Sequence, residues 1–375
     1  MKGRRFGHTG FEKEVGQMTQ FFCGTRIFSG TGAVTAIREM GAERMLVVTD
    51  PFFAKNGTAE RIAAMAPEYR IFDRVEPDPS VALVAEGTAA VKEFAPDMVV
   101  ALGGGSAMDC AKAMLYFGGV EARLVAVPTT SGSGSEVTDF AILTHGGVKH
   151  PLIDQGLRPW AAVLDDELLR ELPKSLIADA GFDVLCHAVE ALGAKNAGAI
   201  TDALARDAFC AAFGALPESY AGNQNVRLGL HTAATMAGIA FSQAGLGLCH
   251  AMSHAMGGLY HVPHGRLNAI LLPAVVEANA DGAGGKYARL ARAAGLGGSA
   301  ETVAVRNLKN ALIRLRRQLN MPETLVQAGV ESRRVWQDWD RIVAAALEDP
   351  CCETNPVPVT ADMVRAVLEA VTGRG

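Results

Sequence analysis

Aspartate and histidine side chains in the C-terminal half of the sequence are spaced as metal ligands would be. Asp183 and His187 are four residues apart, as are His250 and His254, and on a helix each pair projects from one face. Four of the nine histidines fall within residues 250–264. A single histidine on an apolar face is usually a satisfied core residue, but such a cluster opposite an Asp-x-x-x-His pair indicates a metal site. Imidazole and carboxylate suit Fe(II) or Zn(II), and spacing alone leaves open which clustered histidines bind.

The clustered histidines lie in a long stretch without charged residues. The 38 residues from 228 to 265 contain no Asp, Glu, Lys or Arg, yet they include five histidines, Gln243 and Pro263. A lipid-facing helix would hold those polar groups only at a large cost in free energy. We therefore expect buried helices that line a site, and no membrane span.

Two loops rich in glycine and hydroxyl groups predict a nucleotide-binding site in the N-terminal half. Gly-Gly-Gly-Ser at 103–106 and Pro-Thr-Thr-Ser-Gly-Ser-Gly-Ser-Glu at 128–136 each follow an apolar run of strand length. Glycines let backbone N–H groups approach a pyrophosphate, and a helix N-terminus attracts its charge. Either loop alone could be a structural turn or a flexible linker, but ligands of open α/β sheets bind where parallel strands end. Asp50 ends a third such run and could bind an adenosine ribose, although it could also be a turn residue before Pro51.

The elements that would position these groups change character near residue 175. Before it, strand-like runs alternate with helical patterns, as in a parallel sheet. After it, Ala- and Leu-rich helical patterns follow one another. We expect an N-terminal Rossmann-like α/β nucleotide-binding domain at 19–174 and an all-helical metal-binding domain at 175–375. Residues 1–18 are expected to form a solvated extra tail, with docking to a partner as the alternative. The predicted strands are 45–49, 98–102 and 124–127, and the predicted helices are 81–95, 106–115, 175–193, 200–215, 226–243, 247–258, 267–279, 301–319, 333–347 and 360–372.

Composition narrows the classes of function. Hydrophobic residues make up 49% and charged residues 20% of the chain, which predicts a large core and excludes disorder. The net charge of −5 offers no basic excess for binding a nucleic-acid backbone. The seven cysteines are scattered and form no CxxC pair, which fits a reducing cytoplasm. The basic start of the chain lacks the apolar segment of a signal peptide.

Together these motifs resemble the iron-containing (group III) alcohol dehydrogenase family, from about Phe21 to Val371. Within the family, the sequence is most similar to alcohol dehydrogenases of 1,2-propanediol-utilisation microcompartments and of ethanolamine pathways. The resemblance implies a dehydroquinate synthase-like fold. The motifs that carry it are GGGSAMDCAK at 103–112, PTTSGSGSEVT at 128–138, DVLCHAVEA at 183–191, GLGLCHAMSHAMGGLYHVPHGRLNA at 245–269 and TNP at 354–356.

The resemblance assigns the metal ligands that spacing left open. It implies that Fe(II), or Zn(II) in the isolated protein, is bound by Asp183, His187, His250 and His264. His254 matches a family histidine near the nicotinamide, and we expect it to relay the alcohol proton.

The resemblance also implies NAD(H) as cofactor. Lys149 matches a lysine that contacts the cofactor ribose, Asp78 matches a residue at the adenosine side, and Asp50 matches the acidic residue that favours NAD over NADP. The predicted cofactor-binding residues are Asp50, Asp78, Gly104, Gly105, Ser106, Asp109, Thr129, Thr130, Ser133 and Lys149. The predicted substrate pocket contains Phe140, Phe241 and Cys351.

The expected activity is the NAD(H)-dependent, metal-assisted interconversion of a short-chain primary alcohol and its aldehyde, such as propanal and 1-propanol or acetaldehyde and ethanol. Reductases for glycerol-, lactaldehyde- or sulfoacetaldehyde-type substrates remain alternatives. Dehydroquinate synthase shares the fold but would need Lys and Arg around its substrate. A non-catalytic nucleotide-binding component of a microcompartment is a further alternative, against which the complete ligand set argues.

The resemblance also bears on assembly and location. It implies a homo-oligomer, at least a dimer, built through residues 21–29. We expect a cytoplasmic protein, either free or inside a bacterial microcompartment, where shell proteins or aldehyde-producing enzymes would be its partners.

Overall fold

The computed structural model describes residues 21–146 and 148–373. The predicted tail at 1–18 lies outside these residues. Among the described residues, no helix combines the length and apolar character needed to cross a lipid bilayer.

A parallel sheet forms the centre of the N-terminal part. The strands are β1 (Arg26–Ser29), β2 (Arg44–Thr49), β3 (Glu68–Phe72), β4 (Met98–Gly103), β5 (Arg123–Pro128), β6 (Phe140–His145), β7 (Val148–Ile153) and β8 (Ala161–Leu164). Six of them pair in parallel in the order β1-β8-β5-β4-β2-β3, while β6 and β7 form a separate antiparallel hairpin. Strand β4 is buried along its whole length because apolar layers cover both faces of the sheet.

Helices cover the sheet and then make up the C-terminal part. The first five are α1 (Ala36–Glu39), α2 (Pro51–Lys55), α3 (Thr58–Ala63), α4 (Val81–Phe94) and α5 (Gly105–Gly118). The others are α6 (Lys174–Gly193), α7 (Ala199–Ala221), α8 (Arg227–Ala244), α9 (Leu248–Tyr260), α10 (His264–Ala278), α11 (Ala280–Ala293), α12 (Glu301–Gln318), α13 (Ser332–Gln337), α14 (Trp339–Glu348) and α15 (Ala361–Thr372). The predicted order, a parallel α/β sheet followed by an all-helical part, is confirmed.

Helix α6 is the axis of the helical part. It is almost entirely buried, because α7, α8 and α10 pack around it. A helix that is buried on all sides must satisfy any polar side chain inside the protein. The polar residues of α6 therefore mark a site, and they include Asp183 and His187.

Several element boundaries differ from the sequence predictions. Helix α10 begins at His264, three residues before the predicted start, so this candidate ligand stands at a helix N-terminus. The predicted helix 333–347 is two helices, α13 and α14, which meet at Asp338. Five strands (β1, β3, β6, β7 and β8) and four helices (α1, α2, α3 and α11) had no counterpart among the predicted strand and helix ranges. Strand β3, for example, is largely exposed and carries charged residues in place of an apolar run. The division at 174/175 stays a prediction.

Candidate active site

Four candidate ligands meet at one carboxylate oxygen in the helical part; we call Asp183, His187, His250 and His264 the metal cluster. Oδ1 of Asp183 lies 3.8 Å from Nε2 of His187, 3.7 Å from Nε2 of His250 and 3.6 Å from Nε2 of His264. Hydrogen bonds would be shorter, whereas ligand atoms around a tetrahedral ion with bonds near 2.1 Å are about 3.4 Å apart. The spacing therefore suits an ion between the four side chains.

Helix α10 reaches the cluster through a very close contact with α6. A Cβ atom on Gly265 would lie 2.0 Å from the carbonyl oxygen of Asp179, so only glycine fits there. The next residue, Arg266, donates two hydrogen bonds to the Asp179 carboxylate, at 3.1 and 2.8 Å. Because Asp179 lies one helical turn before Asp183, these contacts bring His264 to the cluster.

Two buried residues that sequence reasoning did not identify orient the ligands. Oε2 of Glu190 lies 2.6 Å from Nδ1 of His250, which leaves Nε2 of that ring toward Asp183. The Asn268 amide donates to Oδ1 of Asp183 at 2.7 Å. Such partners of ligands fix the tautomer and the angle of a ring. Their spacing was a usable signal, since Glu190 follows His187 by three residues and Asn268 follows a candidate ligand by four.

Burial and mutual charge interactions shift the pKa values of the four side chains of the metal cluster. Burial favours the neutral acid, yet the surrounding histidines hold the pKa of Asp183 well below its usual range. Burial lowers the pKa of His187 to about 4 and the pKa of His264 well below its usual value. Burial acts in the same direction on His250, but the nearby carboxylates of Asp183 and Glu190 raise its pKa to about 10. An ionised buried carboxylate beside two neutral imidazoles fits a divalent cation, whose binding would release the proton that the carboxylates hold on His250.

His254 lies beside the metal cluster but is bonded elsewhere. Its ring stacks on His264 with the centroids 5.3 Å apart, and its Nδ1 lies 2.8 Å from Oδ2 of Asp349. Burial raises the pKa of Asp349, but the hydrogen bond and charge attraction from His254 and the hydrogen bonds from Cys351 together outweigh burial and lower this pKa to about 2. No pattern in the sequence pointed to Asp349. His261, the remaining histidine of the group at 250–264, is exposed and follows α9 with a φ of 54°.

The predicted substrate residues also border the metal cluster. Phe241 stacks on His187 with the centroids 4.4 Å apart, and Phe140, at the start of β6, lies 6.0 Å from Phe241. The sulfur of Cys351 lies within 4.8 Å of a ring nitrogen of His254 and an oxygen of Asp349. Burial raises the pKa of Cys351 well above its usual value, so its thiol is protonated and carries no charge.

The two glycine-rich loops lie against each other at the carboxyl edge of the sheet, because β4 and β5 are neighbours. A Cβ atom on Gly104 would lie 3.3 Å from Oγ1 of Thr130, and one on Gly105 would lie 3.1 Å from Oγ of Ser133. Thr129 is buried at the base of the contact, and its N–H donates to the first loop at 2.9 Å. These predicted cofactor residues thus share one surface.

The second loop also packs against the helical part. A Cβ atom on Gly134, which has a φ of 65°, would lie 2.6 Å from Cα of Gly238 in α8. One on Gly132 would lie 3.0 Å from Cβ of Ala180 in α6. The loop is therefore tightly packed between the sheet and helices α6 and α8, which argues against a flexible linker.

A buried group of charged and hydroxyl residues, which we call the Lys112 cluster, supports the second loop; its members are Asp109, Lys112, Ser135 and Thr138. Nζ of Lys112 donates to Oγ of Ser135 at 2.9 Å, to Oγ1 of Thr138 at 3.0 Å and to a β6 carbonyl at 2.8 Å. Asp109 was predicted to bind the cofactor, but both of its carboxylate oxygens accept protein donors, Oγ of Ser135 at 2.8 Å and N–H of Ile142 at 3.1 Å. Burial raises the pKa of Asp109 and lowers that of Lys112 to about 8.

The remaining cofactor candidates lie around the ends of β2 and β7. Oδ1 of Asp50 accepts the first amides of α2, at 2.8 and 3.3 Å, while Oδ2 faces Gly103 across 3.7 Å to its Cβ position. Oδ1 of Asp78 lies 2.6 Å from Nζ of Lys149, and its N–H donates to Oγ of Ser106 at 3.3 Å. Asp50 and Asp78 are therefore anchored near the first glycine-rich loop.

An open acidic cleft adjoins these residues. It has a volume of about 620 Å³ and is lined by Asp73, Glu76, Asp78 and Glu86, with Arg74 as a basic residue. Pro51, which follows Asp50, also lines it. Because carboxylates outnumber basic residues in its lining, the cleft would repel a phosphate group bound there.

Comparisons with known proteins agree with the geometry. A family model described as "Iron-containing alcohol dehydrogenase" matches residues 24–166, and one described as "Fe-containing alcohol dehydrogenase family, C-terminal" matches residues 177–372. The 1-propanol dehydrogenase PduQ of Salmonella typhimurium is 38% identical over 367 residues, which cover 94% of this chain and 99% of that protein.

Solved structures show the same architecture. A 1,3-propanediol oxidoreductase matches with a TM-score of 0.89 and 31% identity, over 95% of this chain and 100% of that one. The sulfoacetaldehyde reductase of Bifidobacterium kashiwanohense in complex with NAD+ matches with a TM-score of 0.86 and 26% identity, over 96% of this chain and 100% of that one. The chain therefore belongs to the iron-containing alcohol dehydrogenase family and is an oxidoreductase of that family.

Proposed function

We propose that this protein uses NAD(H) to interconvert a short-chain primary alcohol and its aldehyde, and that it acts mainly in aldehyde reduction, such as propanal to 1-propanol. The observation that carries the proposal is the approach of three imidazole Nε2 atoms to one buried oxygen of Asp183, at 3.6 to 3.8 Å. The family membership and the similarity to a 1-propanol dehydrogenase support it.

The metal cluster would hold Fe(II), with Zn(II) as the alternative occupant. A divalent ion supplies Lewis-acid polarisation of the substrate oxygen. Glu190 keeps Nε2 of His250 toward the ion through its hydrogen bond to Nδ1. The Phe241 ring covers His187 and excludes water from that side.

NAD(H) would bind across the two glycine-rich loops, with its nicotinamide directed to the metal cluster. The second loop supports this arrangement because it contacts both the first loop and α6, which carries Asp183 and His187. The adenosine ribose would lie near Asp50 and the acidic cleft, where a 2′-phosphate would meet like charges. The NAD+ named for the sulfoacetaldehyde reductase structure agrees with this choice of dinucleotide.

His254 would exchange the hydroxyl proton. In the reducing direction, bound NADH would supply the hydride for the carbonyl carbon, and the imidazole would donate the proton that the substrate oxygen takes up, after which solvent would return a proton to the ring. An imidazole suits this role because its ordinary pKa lies near neutral pH.

Phe140, Phe241 and Cys351 would form the substrate end of the pocket. Apolar and neutral groups favour an aldehyde of two to four carbons without charge. The uncharged stretch from 228 to 265 supports this choice, because a sulfonate or carboxylate would lack a cationic partner there. Sulfoacetaldehyde- and lactaldehyde-type substrates are the alternatives. The homo-oligomer and the microcompartment location stay predictions.

A substrate panel on metal-quantified protein tests the proposal. NADH oxidation should be measured with acetaldehyde, propanal, butanal, lactaldehyde and sulfoacetaldehyde. We expect kcat/KM for propanal or acetaldehyde to exceed that for sulfoacetaldehyde at least about tenfold, a difference of about 1.4 kcal/mol. Metal-loaded protein that reduces none of these aldehydes would contradict the proposal.

A further inference from the structure

His254 has a carboxylate partner that lies far along the chain. Its Nδ1 is 2.8 Å from Oδ2 of Asp349, at a sequence separation of 95 residues. Two ligands of one tetrahedral ion would be about 3.4 Å apart, so this contact has the length of a hydrogen bond and not of a second metal site. The carboxylate therefore acts on the orientation of the ring.

Asp349 is itself held on two sides. Its Oδ1 accepts the N–H of Cys351 at 2.9 Å, where a short helical turn begins after α14. Its side chain is 14% exposed, and α14 packs against α9, which carries His254. The Asp349 carboxylate is thus held in position by contacts other than its hydrogen bond to the His254 ring.

The segment after Asp349 is bonded to the start of the same helix. Oγ1 of Thr354 donates at 2.7 Å to a carbonyl just before α9, and Oδ1 of Asn355 accepts the first amide of α9 at 3.0 Å. Asn355 is fully buried. Asp349 and His254 therefore belong to one packed unit, which holds the carboxylate next to the ring.

We propose that Asp349 is a positioning residue that keeps the hydrogen of His254 on Nδ1 and leaves Nε2 free to exchange the substrate proton. This inference rests on the proposed function, because it needs His254 to take part in proton transfer. A carboxylate bonded to one imidazole nitrogen fixes both the tautomer and the angle of the ring. The alternative role of Asp349 is a purely structural cap of the turn at 350–354.

A double-mutant cycle distinguishes the two roles. The metal-loaded full chain is compared with Asp349→Asn, His254→Ala and the double variant, for kcat and KM with an aldehyde and NADH. Asparagine retains an oxygen for the cap, so the turn should persist. We expect Asp349→Asn to lower kcat by about tenfold or more, with unchanged KM and metal content. In the His254→Ala background, the same substitution should change kcat by less than about twofold, because the two residues act as a unit.

Asp154→Asn is the matched control. Oδ1 of Asp154 accepts the N–H of Gly156 at 2.7 Å in a similar turn that contains no histidine. This control should keep the wild-type kcat. If Asp349→Asn does not fold, Asp349→Ser takes its place in the cycle, because serine also offers a capping oxygen.

Two results would overturn the inference. If Asp349→Asn lowers kcat by the same factor in the wild type and in His254→Ala, the role of Asp349 is structural. If Asp349→Asn keeps the wild-type kcat, Asp349 has no role in turnover. In both cases a loss of about 10²–10⁴ in kcat for His254→Ala would leave the proposed relay intact. Wild-type turnover in His254→Ala would instead remove the relay and the positioning role together.

Discussion

The metal cluster and the Lys112 cluster both bury charged side chains, but they satisfy them differently. In the Lys112 cluster, Nζ makes three hydrogen bonds of 2.8 to 3.0 Å to protein oxygens. In the metal cluster, three imidazole nitrogens stop 3.6 to 3.8 Å from the carboxylate oxygen that they surround.

This difference distinguishes a cluster that supports the fold from a cluster that could bind a ligand. A buried group that is fully hydrogen-bonded needs nothing further, whereas converging donors at non-bonded distances indicate room for an ion. We therefore infer that the Lys112 cluster supports the second glycine-rich loop and that the metal cluster would bind a cation. Substitutions in the two clusters should consequently have different effects on metal content and on stability.

The largest effect is expected for the metal ligands. His187→Ala and His264→Ala should each lose bound metal and activity, because removal of one of four ligands weakens binding by orders of magnitude. The fold should survive, since the surrounding apolar core is unchanged. Metal content and turnover are measured beside His261→Asn, which alters an exposed histidine and should match the wild type. Full metal content with normal turnover in either ligand variant would refute the assignment.

Lys112→Met should reduce stability and leave the metal in place. The substitution leaves three oxygens without a donor and two buried carboxylates, Asp109 and Glu136, without their nearby cation. Breaking such a buried set costs about 3 kcal/mol or more. The urea midpoint of unfolding should fall, while the exposed control Lys92→Met should not change it. An unaltered midpoint would show that the cluster does not support the loop.

Glu190→Gln should weaken metal binding without abolishing it. Loss of the charged partner of Nδ1 loosens the orientation of His250, and such changes typically cost about 10–100-fold in metal affinity. Metal titration against a competing chelator measures the affinity, with the exposed Glu369→Gln as control. A wild-type dissociation constant would mean that Glu190 does not orient the ring.

The smallest effect concerns cofactor choice. Asp50→Gly should raise NADPH activity relative to NADH activity by roughly tenfold, about 1.4 kcal/mol, because a negative charge near the ribose is removed. Glycine is also tolerated at the N-cap position that Asp50 occupies, so α2 should persist. The measurement is the ratio of kcat/KM with NADPH to kcat/KM with NADH, and Asp154→Gly is the control variant. If the wild type already uses both cofactors equally, Asp50 does not lie at the ribose.

Local periodicity predicted central strands of the sheet, the helical part and the shared helix face of Asp183 and His187, whereas the set of four candidate ligands came from the family resemblance. Strands β4 and β5 are continuous apolar runs, and Asp183 and His187 are one helical turn apart. Strand β3 could not be predicted, since its exposed charged residues hide its pairing with β2.

Partners from distant segments could not be predicted either. Asp349 meets His254 only because α14 packs on α9, and no pattern in the sequence encodes that contact. Glu190 shares the helix of His187 at a detectable spacing, but a buried glutamate there becomes meaningful only once His250 is placed beside it. Asp109 lies in a family motif, and its burial against Ser135 depends on the loop between β5 and β6.

The central claim is that Asp183, His187, His250 and His264 bind one divalent ion. A crystal of anaerobically iron-loaded protein, with anomalous diffraction recorded above and below the iron K edge, tests it directly. The account predicts one iron peak within bonding distance, about 2.0–2.3 Å, of Oδ1 of Asp183 and of the three Nε2 atoms. A peak bound instead by His254, Asp349 and Cys351, or no peak in protein that contains iron by elemental analysis, would contradict it.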